Sequence, residues 1–127
     1  SCSARLPSVG PDTCASPQVV SCGSSVIGQL HTATANDTDS ITDGNPDNWY
    51  SISVAQATII SASTCHASTN FDNVLGLYEG SCSALNGLSG SSSSYQACAL
   101  TTSSDYPALM SWVAQAGTVY RIRVYGY

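Results

Sequence analysis

ALMSWVAQAGTVYRIRV, residues 108–124, alternates between two parities along its whole length. Ala108, Met110, Trp112 and Ala114 share one parity, and Leu109, Ser111 and Val113 share the other. After a turn at Ala116-Gly117, Tyr120, Ile122 and Val124 alternate with Arg121 and Arg123. A period of two belongs to a strand with two unlike faces, so the stretch predicts two strands joined by a turn. Moving outward, Val74 to Glu79 places Leu75 and Leu77 on one face, and Thr58 to Thr64 is rich in β-branched residues. Tyr50, Ile52 and Val54 alternate with Ser51 and Ser53, which predicts a half-buried strand. Val19-Val20 and the segment from Val26-Ile27 to Thr34 read the same way.

No window of helical length carries an apolar stripe. Short strands separated by Asp43-Gly44-Asn45-Pro46, Glu79-Gly80 and Ala116-Gly117 predict an all-β, antiparallel sandwich. Residues 1–16, containing Pro7, Gly10 and Pro11, read as an irregular N-terminal arm, and residues 17–127 as the sandwich domain. Gly87 to Gly90 and the run Ser91 to Ser94 read as a solvated loop.

A chain of 127 residues is sized for one domain. Charged residues make up 9% of it, and eight acids against three arginines give a net charge of −5. Nucleic acid and anionic membranes need clustered cations, so both are excluded as expected partners. The apolar stretches are also too short for a membrane helix.

Six cysteines (Cys2, Cys14, Cys22, Cys65, Cys82 and Cys98) form an even set with no Cys-x-x-Cys pair, which favours three disulfides over a zinc site. That reading implies an oxidising, extracellular compartment. Many connectivities are open; proximity along the chain favours Cys14–Cys22 and Cys82–Cys98 and leaves Cys2–Cys65. The chain starts at Ser1 without a targeting stretch, as expected of a mature product or an excised piece. Asn36-Asp37-Thr38 is an N-glycosylation sequon.

Several segments together resemble the bacterial pre-peptidase C-terminal (PPC) domain and its eukaryotic extracellular relatives. They are Asn45 to Ile52 (NPDNWYSI), Ser63-Thr64-Cys65, Asn70 to Cys82 (NFDNVLGLYEGSC) and Ala116 to Val124 (AGTVYRIRV), with Cys14-Ala15 and Cys22-Gly23 upstream. The resemblance covers most of residues 12–127. It implies a jelly-roll-like β-sandwich of about eight strands, non-catalytic and appended to secreted or adhesive proteins, some of which bind polysaccharide or calcium. Two departures stand out. Ala99-Leu100-Thr101-Thr102 replaces the acidic cluster that relatives carry after the cysteine matching Cys98, and the sequence ends at Gly126-Tyr127, where relatives add one more strand. A missing strand leaves a slot for the N-terminal arm or for a neighbouring chain, unless the strand was cut away, and a slot filled by neighbours would give self-assembly by strand exchange.

The chemistry-bearing residues are sparse. The histidines are His31 and His66, and no Gly-x-Ser-x-Gly elbow exposes a serine nucleophile, so a hydrolytic triad is not expected. Asp72 and Glu79 flank one strand, and seven residues at about 3.3 Å each hold them too far apart to act as a glycosidase pair. Asp37, Asp39, Asp43 and Asp47 cluster without EF-hand spacing. If calcium binds, Asp39, Asp43, Asp47 and Asp72 are its candidate ligands; otherwise no cofactor is expected. Tyr78, Tyr95, Tyr106, Tyr125 and Tyr127 are candidates for an exposed aromatic surface, and Tyr95, Tyr106, Tyr125 and Tyr127 for stacking on a sugar ring. The expected function is therefore a non-catalytic extracellular structural or adhesive module, a homo-oligomer or part of a larger assembly. The alternative is a carbohydrate-binding module.

Overall fold

The computed structural model describes residues 2–5, 14–23, 47–64, 73–88 and 108–126. They form eight strands and, among the described residues, no helix. The strands are β1 (Cys2–Arg5), β2 (Gln18–Val19), β3 (Asp47–Ile52), β4 (Thr58–Ser63), β5 (Asn73–Glu79), β6 (Asn86–Leu88), β7 (Leu109–Ala114) and β8 (Tyr120–Gly126). They make two sheets, a three-stranded one in the order β1-β4-β7 and a five-stranded one in the order β2-β3-β8-β5-β6. The expected β-sandwich is present.

Its core lies between the sheets and follows from the period-two pattern. Cys2, Ala4, Ile60, Ala62, Met110 and Ala114 face inward from the smaller sheet, and Tyr50, Ile52, Leu75, Leu77, Tyr120, Ile122 and Val124 from the larger. Trp112 and Tyr120 meet across the gap edge to face, with centroids 5.6 Å apart. The parities predicted for β7 and β8 hold on the core side. The turn between them places Gly117 at φ +78, a left-handed conformation suited to glycine, with its N–H donated to the Val54 carbonyl at 2.9 Å. Gly80 closes β5 in the same way at φ +93.

Four expectations are corrected. First, the sheets are not wholly antiparallel: β1 runs parallel to β4 and β2 parallel to β3. Both are the N-terminal strands, and both are edges. Second, residues 2–5, within the expected irregular arm, form a strand because Cys2 and Ala4 bury themselves against Ile60 and Ala62. Third, Asn86–Leu88 pairs with β5 as β6, so Gly87 and Leu88 belong to a strand and not to the expected loop.

Fourth, the disulfides are Cys2–Cys22 and Cys14–Cys82 rather than Cys14–Cys22, Cys82–Cys98 and Cys2–Cys65. Spatial neighbours override sequence neighbours here. Gly23 donates its N–H to the Ser3 carbonyl, which brings Cys22 beside β1, and the second bridge spans 68 positions to a turn after β5. Cys65 and Cys98 lie outside the described residues. Together the two bridges tie β1 and the β2 segment to the sandwich body of their own chain.

Candidate functional site

The two outward faces of the sandwich differ. On the five-stranded sheet, register places Asp47, Trp49 and Ser51 of β3 opposite Tyr125, Arg123 and Arg121 of β8, and opposes Tyr125, Arg123 and Arg121 with Val74, Gly76 and Tyr78 of β5. Alternation alone predicts that this face is wet. Its centre is buried instead: all six residues of β3 are covered, including Asp47, Trp49 and Ser51, as is Arg123, while Val74, Tyr78, Arg121 and Tyr125 are half-buried, so the expectation of a half-buried strand at β3 is corrected.

Several side-chain contacts are made on this face. Arg123 donates from Nε to Asp47 Oδ2 at 2.7 Å, with 2% and 0% of the two side chains exposed. The guanidinium carbon also sits 4.2 Å from the centre of the Tyr125 ring, a cation–π arrangement. Tyr78 folds back over Gly76, where an added Cβ would fall 2.6 Å from its hydroxyl oxygen, and its ring lies 5.8 Å from that of Trp49. Arg121 donates to the Gly80 carbonyl at 2.7 Å, and Asn86 donates to Glu79 at 3.2 Å.

Of the candidate calcium ligands and sugar-stacking tyrosines, Asp47 and Tyr125 are the ones described. Asp47, a candidate calcium ligand, has one carboxylate oxygen on Arg123, and Tyr125, a candidate sugar platform, has Arg123 over one ring face. Asn36, Asp39, Asp43, Asp72, Tyr95, Tyr106, Tyr127, His31 and His66 lie outside the described residues. Tyr78 is half-buried against Trp49 rather than displayed. Among the described residues, no three His, Cys, Asp or Glu side chains gather.

The three-stranded sheet presents a different surface. Ser3, Ser61 and Ser111 form a row across β1, β4 and β7, with Ser61 and Ser111 hydroxyls 2.8 Å apart. Beside it, Ile59 and Val113 are paired across β4 and β7 and are 51% and 65% exposed. Hydroxyls and branched aliphatic groups thus share a face carrying no acid on these strands. Sequence reading missed this surface. The outward parity of Ile59, Ser61, Ser111 and Val113 was visible, but not the register that aligns them.

Burial without exposure pushes the Tyr50 phenol well above its ordinary pKa, keeping it neutral in the core. The two disulfides fit an oxidising environment. No helix among the described residues is long and apolar enough to cross a membrane. Comparison with family models, curated proteins and solved structures finds no match.

Proposed function

We propose that this chain is a non-catalytic extracellular β-sandwich module that works by surface contact, in a structural or adhesive role. The observation that carries the reading is the solvent face of the three-stranded sheet, where the Ser3–Ser61–Ser111 row lies beside the exposed Ile59–Val113 pair. Such a surface offers apolar area and hydroxyls to a partner, with no desolvation of acids on it. Asp47 and Arg123 pair inside the fold, while Arg121 and Glu79, both half-buried, are engaged at its surface with a backbone carbonyl and with Asn86. Disulfide staples support the extracellular placement. The resemblance to PPC domains, with its jelly-roll sandwich and accessory role, agrees with this reading.

Partner completion of the sheet by an exchanged N-terminal arm is the version least favoured by the geometry. β1 already pairs with β4 of its own chain, and Cys2–Cys22 holds it there. The contact surface is then a face or an edge of a finished sandwich.

The test combines binding with turnover. Purified oxidised chain is applied to a glycan array with and without calcium, to immobilised copies of itself, and to panels of ester, peptide and glycoside substrates. Contact without turnover is expected, and Ile59→Asp should weaken that contact about tenfold or more. Turnover that disappears on replacing His31 or His66 overturns the reading. Calcium-dependent glycan signal lost on changing Tyr125 would replace it with the carbohydrate-binding alternative.

A further inference from the structure

In an antiparallel pair, bonded and non-bonded positions alternate, so one closed position fixes the direction of all the others. Thr64 donates its N–H to the Ala108 carbonyl at 3.0 Å. Continuing the register makes Ala62/Met110, Ile60/Trp112 and Thr58/Ala114 the bonded positions between β4 and β7. The backbone groups of Leu109, Ser111 and Val113 therefore point away from β4, toward the outer edge of the sheet. Leu109 is already engaged. Ser111 and Val113 each bring an N–H and a C=O to that edge, and both side chains are exposed.

Edge strands are ordinarily protected by shortness, charge, proline or a bulge. The other three sheet edges obey this rule through shortness: β1 has 4 residues, β2 has 2 and β6 has 3. β7 has 6 residues, LMSWVA, with no charge, proline or glycine. Among the described residues it is the long unprotected edge.

We propose that β7 is the docking edge for β7 of a second copy, antiparallel to it about a two-fold axis at Trp112. The proposal rests on the contact-module reading and names a partner for it. A second copy fits because an antiparallel edge complements itself. With the axis at Trp112, Ser111 exchanges both backbone bonds with Val113 of the second copy and Val113 with its Ser111, so all the donors and acceptors counted above are matched. Each copy carries a net charge of −5, yet no acid lies on β1, β4 or β7 to repel its equivalent. The two Trp112 side chains come opposite each other on the core side, with Cβ atoms about 5 Å apart. Trp112 is half-buried and its indole N–H is buried without a hydrogen-bond acceptor, so the strand has an unmet donor at the same place. On the solvent side, both Ile59–Val113 pairs join one face of a continuous sheet.

The experiment is light scattering and amide hydrogen exchange on the full oxidised chain from about 10 µM to about 1 mM. Mass should rise from one copy toward two. Exchange at the Ser111 and Val113 amides should slow with concentration, while Met110 and Trp112, bonded to β4 throughout, should not change. Val113→Lys, at a position 65% exposed and so tolerant of the change, should raise the dissociation constant about tenfold or more. Ser111→Lys should do the same, and Val19→Lys on β2, at a position 78% exposed, should not.

A mass of one copy throughout, concentration-independent exchange at Ser111 and Val113, open-ended polymers, or Val19→Lys acting as strongly as Val113→Lys would each overturn the proposal. Slowed exchange at Ser111 and Val113 only on adding an unrelated extended peptide would also overturn it, in favour of that occupant. These outcomes are separable from failure of the module reading, which would appear as catalytic turnover whatever the mass.

Discussion

Replacing Asp47 with alanine should be far more damaging than the size of the side chain suggests. The carboxylate and Arg123 are 2.7 Å apart, with 0% and 2% of their side chains exposed. At an effective dielectric constant of about 20, their gross attraction at that distance is about 6 kcal/mol, and removing both ions from water costs several kcal/mol each. The pair therefore adds little net stability compared with an apolar filling, but losing one partner leaves the other charge buried without its 2.7 Å counter-ion.

Asp47→Ala should cost about 3–5 kcal/mol, a large fraction of the roughly 5–15 kcal/mol that typically separates folded from unfolded domains. Arg123→Ala should cost at least as much, because it also removes the guanidinium from the Tyr125 ring, a contact of about 1–2 kcal/mol when desolvated. The double change Asp47→Leu with Arg123→Met removes both charges and keeps most of the volume. It should recover to within about 2 kcal/mol of the unmodified protein. Urea unfolding followed by Trp49 fluorescence measures all three. Single variants costing under about 1 kcal/mol, or a double variant costing the full sum of the two, would refute the view of a pair held in a dry face.

Gly76→Ala places a Cβ 2.6 Å from the Tyr78 hydroxyl oxygen and 2.8 Å from a ring carbon, so the ring must leave Trp49. A loss of about 1–3 kcal/mol in urea unfolding is expected, and near-neutrality would show that Tyr78 does not cover that glycine. Serine replacement of both cysteines of Cys14–Cys82, which spans 68 positions, should cost about 1 kcal/mol more than the same change at Cys2–Cys22, which spans 20, on chain-entropy grounds. Peptide mapping of the oxidised chain should recover those two bridges and, if all six cysteines are oxidised, Cys65 joined to Cys98.

Tyr50 ties stability to alkaline pH. Its folded-state pKa is raised by burial, so above the unfolded value near 10 the unfolded chain has released a proton that the folded chain retains. Stability is then fully present below about pH 10 and falls by about 1.4 kcal/mol per unit above it. Tyr50→Phe should flatten that slope, and an unchanged slope would locate the titration elsewhere.

The core was legible because period-two alternation is a local signal with a single geometric meaning. Leu75, Leu77, Met110, Ala114, Tyr120, Ile122 and Val124 all face inward as their parity requires. What depends on register was not legible. Arg121 and Arg123 have the parity of a wet face, yet Arg123 is 2% exposed, because Asp47 lies opposite Tyr125 one bonded step away, 76 positions distant in sequence. Parity says which side a residue is on, and only pairing says what stands beside it. β1 was hidden for a similar reason. Residues 2–5 gain their strand from Ile60 and Ala62, while the prolines that suggested an arm begin at Pro7. The disulfides follow the sheets rather than proximity along the chain: Cys14 bridges Cys82 across 68 positions because the folded strands bring the two segments together.

A chain with 9% charged residues has few ways to keep its surface wet and its edges separate. Here Arg121, Arg123, Asp47 and Glu79 are all engaged on the five-stranded sheet. The three-stranded sheet carries one charged residue, Arg5 at the end of β1, and otherwise relies on serine hydroxyls for solubility and on strand shortness to avoid association. Shortness protects β1, which has 4 residues, but not β7, which has 6. The same scarcity of charge that leaves one buried pair on the five-stranded sheet leaves β7 without a charged guard, which is the feature on which the proposed contact between copies rests.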